Sequence, residues 1–394
     1  MKAQNKVLRF SMFALLYFTQ GTIQGYFVSI NALYLKDNGI DIAQVGVFAA
    51  IAMIPFIIKI LFGILSDRYN FFKLGHRKPY ILIGLIVQAA CLILVANTNP
   101  GEHFWFFVAL AFFLQMGMAF YDTCTDGLAL DITPENEQGI LQGFMVGGRS
   151  VGIIVSAVVV GFLAQNVSWP IVFYFLAVLT IIPVPLLFFI KESVRTQAQR
   201  FSWSAFAEFK SAQVLAAAVV GLILFLVVAG ANQLMNPFFQ ERFDIQFDTA
   251  GLITAVWGIG AVIGSFAGGL IKDKVGNKVA LWVSLAAVIP AMLLLAFIRE
   301  KSAAWFVAAF FGLAYGLTLS IYYALAMKYT KPAIAASMFA ILMSVTNIGQ
   351  AIGFSAGGAL AKAGTYQLTF LVFGGIMLLI IPFFPVLFKK KPVA

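Results

Sequence analysis

The chain has 394 residues, 61% hydrophobic and only 11% charged, with 41 Phe and a formal net charge of +10. Soluble domains carry about 25% charged residues, so the composition excludes a soluble globular protein and indicates a polytopic membrane protein. Cys91 and Cys124 sit in apolar runs without ligand spacing, and His76 and His103 lie outside those runs. No metal site or nucleophile–base set is therefore expected.

The apolar runs are about 20 residues long, the length a helix needs to cross hydrocarbon, and they lack strand-like alternation. In chain order they place twelve spans at 8–35, 42–65, 79–96, 104–132, 138–164, 169–190, 213–239, 249–271, 279–298, 303–327, 333–360 and 366–388. No small-residue cleavage site follows the first run, so it is read as a retained helix and not as a removed leader. With these spans, 19 Lys and Arg fall on the side of the amino terminus and 5 on the other. That bias predicts both termini in the cytoplasm. The basic character thus reports topology and lipid contact, with no nucleic-acid partner.

The chain also repeats itself. The second span opens with "DIAQVG" from Asp41 and the eighth with "DTAGLI" from Asp248, and each Asp is placed to cap a helix. The second span ends in "GILSDR" (Gly63, Asp67, Arg68) and runs on to "GHRKP" with Arg77 and Lys78; the eighth ends in "GLIKDK" (Gly269, Asp273, Lys274) before "GNK". The spacing predicts two six-helix halves, 1–190 and 212–394, joined by the polar segment 191–211 and related by an axis along the membrane normal.

These loops resemble the signature of the major facilitator superfamily. The resemblance covers the whole chain in span count, central loop and paired motifs. It implies an all-α membrane fold whose Gly63, Asp67, Arg68, Arg77, Lys78, Gly269, Asp273 and Lys274 act as a conformational gate.

Four charges lie well inside the first half: Lys59, Asp122, Asp126 and Arg149. Each costs about 2.5–3.5 kcal/mol near the bilayer centre. Asp122 lies 12 residues before Pro134 and Arg149 lies 12 after Glu137. At about 1.5 Å per residue both are near the midplane, while Lys59 and Asp126 sit nearer the cytoplasm. Depth thus allows the pairs Asp122–Arg149 and Lys59–Asp126. Two readings stay open: groups that bind an anion or a proton, or a fixed salt-bridge set holding three spans together. Asp131, Glu135 and Glu137 are placed at the cytoplasmic surface.

The pattern Asp122-x-x-x-Asp126-x-x-x-x-Asp131, the "GGRSVG" around Arg149 and the Lys59–Asp67 spacing resemble the muropeptide permease (AmpG-type) and acetyl-coenzyme A transporter group. The second span is also similar to folate–biopterin transporters. This resemblance implies a proton-driven importer of a large anionic solute, such as a sugar–peptide or nucleotide conjugate. "SDR…GHRKPY" is also similar to the sucrose and glycoside carriers, which leaves a sugar–cation symporter as the alternative. A non-transporting sensor or lipid-handling protein is the third reading.

Spans seven to twelve carry no deep charge. Their polar groups are Asn232, Gln233 and Asn236, with Pro237 as a kink, then Tyr315, Tyr322 and Tyr323, and Asn347 and Gln350. The resemblance implies that spans one, four, seven and ten line a cavity. Gln20, Gln24, Asn31, Tyr121, Asn232, Gln233, Asn236, Tyr322 and Tyr323 are then candidate substrate contacts; the amides would serve equally as glue between helices. Glycine strings at 147, 148, 152 and 161 and at 349, 353, 357 and 358 suit close helix packing. No phosphate-cradling loop occurs. The expected protein is a monomeric, cofactor-free secondary transporter of the inner or plasma membrane, alternating access about a midplane site with a small-molecule solute, protons and lipid as partners.

Overall fold

The computed structural model describes residues 6–68, 75–190, 192, 203–329 and 335–389. Among the described residues, eleven helices are long and apolar enough to cross a membrane. Helix α1 (Lys6–Ser29) is long enough as well, but Arg9, Gln20 and Gln24 make it less apolar than the rest. With it the spans number twelve, and no strand occurs among the described residues. The chain is an all-α, multi-pass membrane protein, as hydrocarbon requires when every backbone N–H and C=O must be satisfied within the chain.

Helix ends fall within a few residues of the expected ones. The first span continues from α1 into α2 (Asn31–Asp37), and the second divides into α3 (Ile42–Ile57) and α4 (Lys59–Arg68). Pro55 lies inside α3 and has no N–H to give. The helix breaks at Ile58, where Leu61 N bonds back only three residues, to Ile58 O at 2.9 Å. Lys59 therefore starts a new helix at depth. Helix α5 (Lys78–Ala96), α6 (Phe104–Ile132), α7 (Glu135–Asn166), α8 (Trp169–Ile181) and α9 (Val184–Phe189) follow. After a 3₁₀ segment at Trp203–Lys210 comes α10 (Ala212–Phe243), which runs on past Pro237. Helix α11 (Phe247–Phe297) joins two spans through Gly276, whose φ of 77° only glycine adopts readily. Helix α12 (Ala303–Lys328), α13 (Ala335–Ala363) and α14 (Tyr366–Met377) follow, the last continuing through a 3₁₀ turn into α15 (Phe384–Leu387).

The chain forms two compact units: Met1–Ile40, Ile51–Arg200 and Gln246–Ala255 in the first; Asp41–Ala50, Phe201–Ile245 and Val256–Ala394 in the second. In the first unit, Gly21 and Gly25 of α1 meet the backbone of α7 at Arg149 and Ile153, while Gly148 and Gly152 of α7 meet Ala14 and Phe18 of α1. Two small-xxx-small pairs thus set one close crossing. In the second unit, Gly349 and Gly353 of α13 meet Leu222 and Leu226 of α10 in the same manner. Gly147 has nothing near it, so that member of the expected string is not a contact residue.

Asp41 caps α3, its Oδ1 accepting from Ala43 N at 2.9 Å and Gln44 N at 3.1 Å, and its other oxygen is 3.1 Å from Lys362 Nζ. Slight burial pushes its carboxyl up, but the hydrogen bonds from Gln44 and Lys362 outweigh it and hold the group below the usual range. Asp248 does not play the matching role. It lies inside the first turn of α11 and bonds its neighbour Thr249.

Gly152→Leu is expected to force α1 from α7 and destabilise the protein by about 1–3 kcal/mol or more, whereas Gly147→Ala leaves the melting temperature of the purified protein unchanged. Equal effects of the two would contradict the close crossing.

Candidate functional site

The α1–α7 crossing brings one face of α1 onto the charges of the first unit. Tyr17, Gln20 and Gln24 recur at helical spacing, so they project to one side. Each meets a different charged residue. The Tyr17 hydroxyl donates to Asp126 Oδ1. Gln20 Nε2 donates to Asp122 Oδ1 at 2.6 Å, and Arg149 Nε donates to Gln24 Oε1 at 2.7 Å. Lys59 Nζ, from the start of α4, lies 3.5 Å from Asp122 Oδ2. Asp122 is buried, 6% exposed, and Asp126 and Arg149 are half-buried.

The four charges expected together are therefore assembled, but with other partners. Lys59 joins Asp122, where depth had suggested Asp126. Arg149 does not pair with Asp122, because Gln24 of α1 occupies its Nε while Gln20 and Lys59 hold the carboxylate. Tyr17 was missed in the sequence. Its spacing of three and seven residues from Gln20 and Gln24 was the available signal.

Other candidates lie elsewhere. Tyr121 turns its Cβ to α5, against Gly84, and is fully buried there. Asn31 is buried at the start of α2. In the second unit Gln233 Nε2 donates to Val45 O at 3.3 Å, and Asn232 and Asn236 are buried on α10. Tyr322 is buried over Gly221, where a Cβ would overlap its ring, and stacks edge-on with Phe225 at 5.6 Å; Tyr323 lies 6.0 Å from the same ring. These side chains form an aromatic and amide set on α10 and α12.

Where α4 and α6 end and α5 begins, a second ionic group gathers around Arg77, one of the expected gate residues. Arg77 packs its guanidinium over Gly127, bonds Ser66 Oγ, and has Nε 3.7 Å from Asp131 Oδ2. Asp131 is not at the surface as expected: its side chain is 6% exposed, because Gly127 leaves room for Arg77 to lie across α6. Glu137 pairs with Arg9 and with Lys6, the latter at 3.3 Å. The Glu192 carboxylate accepts from the backbone N–H of His76 at 2.6 Å, Arg77 at 3.0 Å and Lys78 at 2.6 Å, satisfying the first turn of α5. Gly75, with φ of 114°, makes space for that carboxylate. Glu192 was also missed, although an acid opening a basic linker was visible.

Gly63 and Gly269 are looser than expected. An added Cβ would meet Thr123 Cγ2 at 3.4 Å and Ser320 Oγ at 3.7 Å, ordinary contact distances. Lys274 is exposed. The side chains of Asp67, Arg68, Glu135 and Asp273 lie outside the described residues.

Comparison with known proteins places these features in context. The family model described as Major Facilitator Superfamily matches residues 13–345 and 230–394. A Rickettsia conorii protein named as transporter AmpG 4 is 25% identical over 62% of this chain and 63% of its own length, so the match spans less than two thirds of that relative. A Rickettsia felis protein named as transporter AmpG 2 is 24% identical over 87% of this chain and 86% of its own. The sialic acid transporter NanX of Escherichia coli is 23% identical over 64% of this chain and 62% of its own. Among solved structures, the nucleoside transporter NupG superposes with a TM-score of 0.80 over 99% of this chain and all of its own, at 16% identity. A D-xylose–proton symporter gives 0.75 over 98% of this chain and all of its own, also at 16%. At those identities the structures report the fold alone.

Glu192→Ala is expected to leave three N–H groups of α5 without their acceptor and to lower stability by about 1–2 kcal/mol, read as a fall in melting temperature. An unchanged value would mean that the carboxylate does not hold α5.

Proposed function

Because this chain belongs to the Major Facilitator Superfamily, we propose that it is a secondary transporter that carries a polar, anionic solute together with protons. The observation that carries this reading is the group of Lys59, Asp122, Asp126 and Arg149 held against Tyr17, Gln20 and Gln24 of α1. A fixed structural salt-bridge set would pair each acid with a base. Here Lys59–Asp122 is joined by two charges, Asp126 and Arg149, whose hydrogen-bond partners are neutral. Neutral partners are easily exchanged for a proton or a substrate anion, which is the chemistry that coupling requires.

In this account the halves 1–190 and 212–394, joined by 191–211, alternate access to the two sides of the membrane. The protein acts as a monomer in the inner or plasma membrane with both termini cytoplasmic. Arg77, Asp131 and Glu192 hold the cytoplasmic ends of α4, α5 and α6 together in one state and release them in the other. Asn232, Gln233, Asn236, Tyr322 and Tyr323 supply amides and aromatic faces suited to a sugar or base. The name of the sialic acid relative supports a solute of the acidic-sugar class, and the resemblance of spans two to five to muropeptide permeases supports a sugar–peptide.

The test is uptake into proteoliposomes under an imposed pH gradient, inside alkaline. Wild type should accumulate the solute, while Asp122→Asn and Asp126→Asn fall to the level of protein-free liposomes under the gradient. Equal gradient-driven uptake by all three proteins would overturn the proton role.

A further inference from the structure

The two bases of the charged group are not equivalent. Lys59 has a carboxylate, Asp122, within ion-pair distance. Among the described residues Arg149 has none within 4 Å, and its one hydrogen bond to them is from Nε to the neutral amide of Gln24. With Nε engaged, the paired Nη1–Nη2 edge of the guanidinium makes no hydrogen bond to the described residues. A half-buried guanidinium about 18 Å from the α6–α7 turn, by the rise per residue, is costly unless an anion meets it. The end-on edge of a guanidinium matches two oxygens of one carboxylate.

The charge count narrows the ligand further. Lys59 and Arg149 against Asp122 and Asp126 sum to zero. The charged and titratable groups acting on Asp126 are Asp122 of its own helix, Lys59 of α4, Tyr17 of α1 and Arg149 of α7. An anion on Arg149 removes a positive neighbour from Asp126 and leaves the group one negative charge in excess. One proton, taken from the outer aqueous phase onto the Asp126 carboxylate and released to the cytoplasm after the anion leaves, restores neutrality. A phosphate monoester carries about 1.5–2 negative charges at neutral pH and would need a second free base, which Lys59, held by Asp122, does not supply.

Resting on the proton-coupled reading above, we infer that Arg149 is the specificity-determining residue for a solute bearing a single carboxylate, and that one proton travels with it on Asp126, so that transport is electroneutral. The Lys59–Asp122 pair stays closed while this occurs.

Thermal-shift measurements on the purified full-length protein would use N-acetylneuraminate, N-acetylmuramate and glucuronate, each beside its methyl ester, and glucose 6-phosphate. At least one free acid should stabilise the protein, and neither its ester nor the phosphate should. No stabilisation by any acid, or equal stabilisation by acid and ester or phosphate, overturns the assignment. Arg149→Gln should weaken the apparent affinity for the stabilising acid by roughly ten- to a hundredfold. Because that variant can fail to fold, Gln24→Glu is the second probe. It keeps the length and the contact to Nε but places a resident carboxylate on Arg149, and the same loss is expected; unaltered affinity contradicts the inference. In proteoliposomes at a fixed pH gradient, uptake of that acid should not change when a potassium–valinomycin potential is imposed, and a clear response to the potential contradicts electroneutrality. If Gln24→Glu and the potential fail in these ways while Asp126→Asn still abolishes gradient-driven uptake, the role of Arg149 falls and the proton-coupled reading stands.

Discussion

A carboxylate or guanidinium at the depth of the hydrocarbon costs about 2.5–3.5 kcal/mol unless something in the protein answers it. Helix α1 is the element that supplies most of those answers here. Its Tyr17, Gln20 and Gln24 each reach a different charged residue, and within this group of four charges Lys59 and Asp122 meet as an ion pair. Lys59–Asp122 joins opposite charges with the carboxylate buried, and a charged pair of this kind is stronger than a neutral hydrogen bond, so it is the stiff part of the group. The phenol and amide partners of Asp126 and Arg149 are weaker, since a neutral hydrogen bond contributes about 0.5–1.5 kcal/mol net. The stiff and the loose contacts sit within a few residues of one another on α6, which is what a site needs if it is to keep its shape while one proton and one solute come and go.

Backbone packing places these contacts. Gly21 and Gly25 against the α7 backbone, and Gly148 and Gly152 against the α1 backbone, let the two helices touch, so Arg149, next to Gly148, has Gln24 of α1 within reach. The break after Ile57 starts a helix at Lys59 and sets its ammonium against α6. Farther along the same helices, Arg77, Asp131 and Glu192 join α4, α5, α6 and the start of the 191–211 segment. Helices α4 and α6, which carry Lys59, Asp122 and Asp126, are thus tied at one end by ionic and backbone contacts of their own.

The span limits were readable because hydrocarbon demands about 20 apolar residues in a row, and the helix ends fall close to where hydropathy put them. The four deep charges were readable because a charge in such a run has no other explanation as cheap as a partner. Their pairing was not readable. Counting residues gives depth along a helix but not rotation about it, and the choice between Asp122 and Asp126 as the partner of Lys59 is a matter of rotation. Asp131 was misplaced for a related reason: its depth is shallow, yet Gly127 one turn earlier allows Arg77 to fold over it and exclude water. Tyr17 escaped notice because a tyrosine in an apolar run resembles an ordinary core aromatic until its spacing to Gln20 and Gln24 is considered. The looseness at Gly63 and Gly269 could not be foreseen from a motif, since the distance to the facing helix is set by residues on that helix.

The central claim is that the solute and a proton occupy this charged group together. It is tested most directly by calorimetric titration of the purified protein with its solute in buffers of different ionisation enthalpy, which counts protons taken up on binding without any membrane or gradient. The account predicts an uptake approaching one proton per solute bound in wild type at a pH where Asp126 is ionised in the empty protein, and none in Asp126→Asn. Solute binding with no proton uptake in wild type at any pH would contradict it.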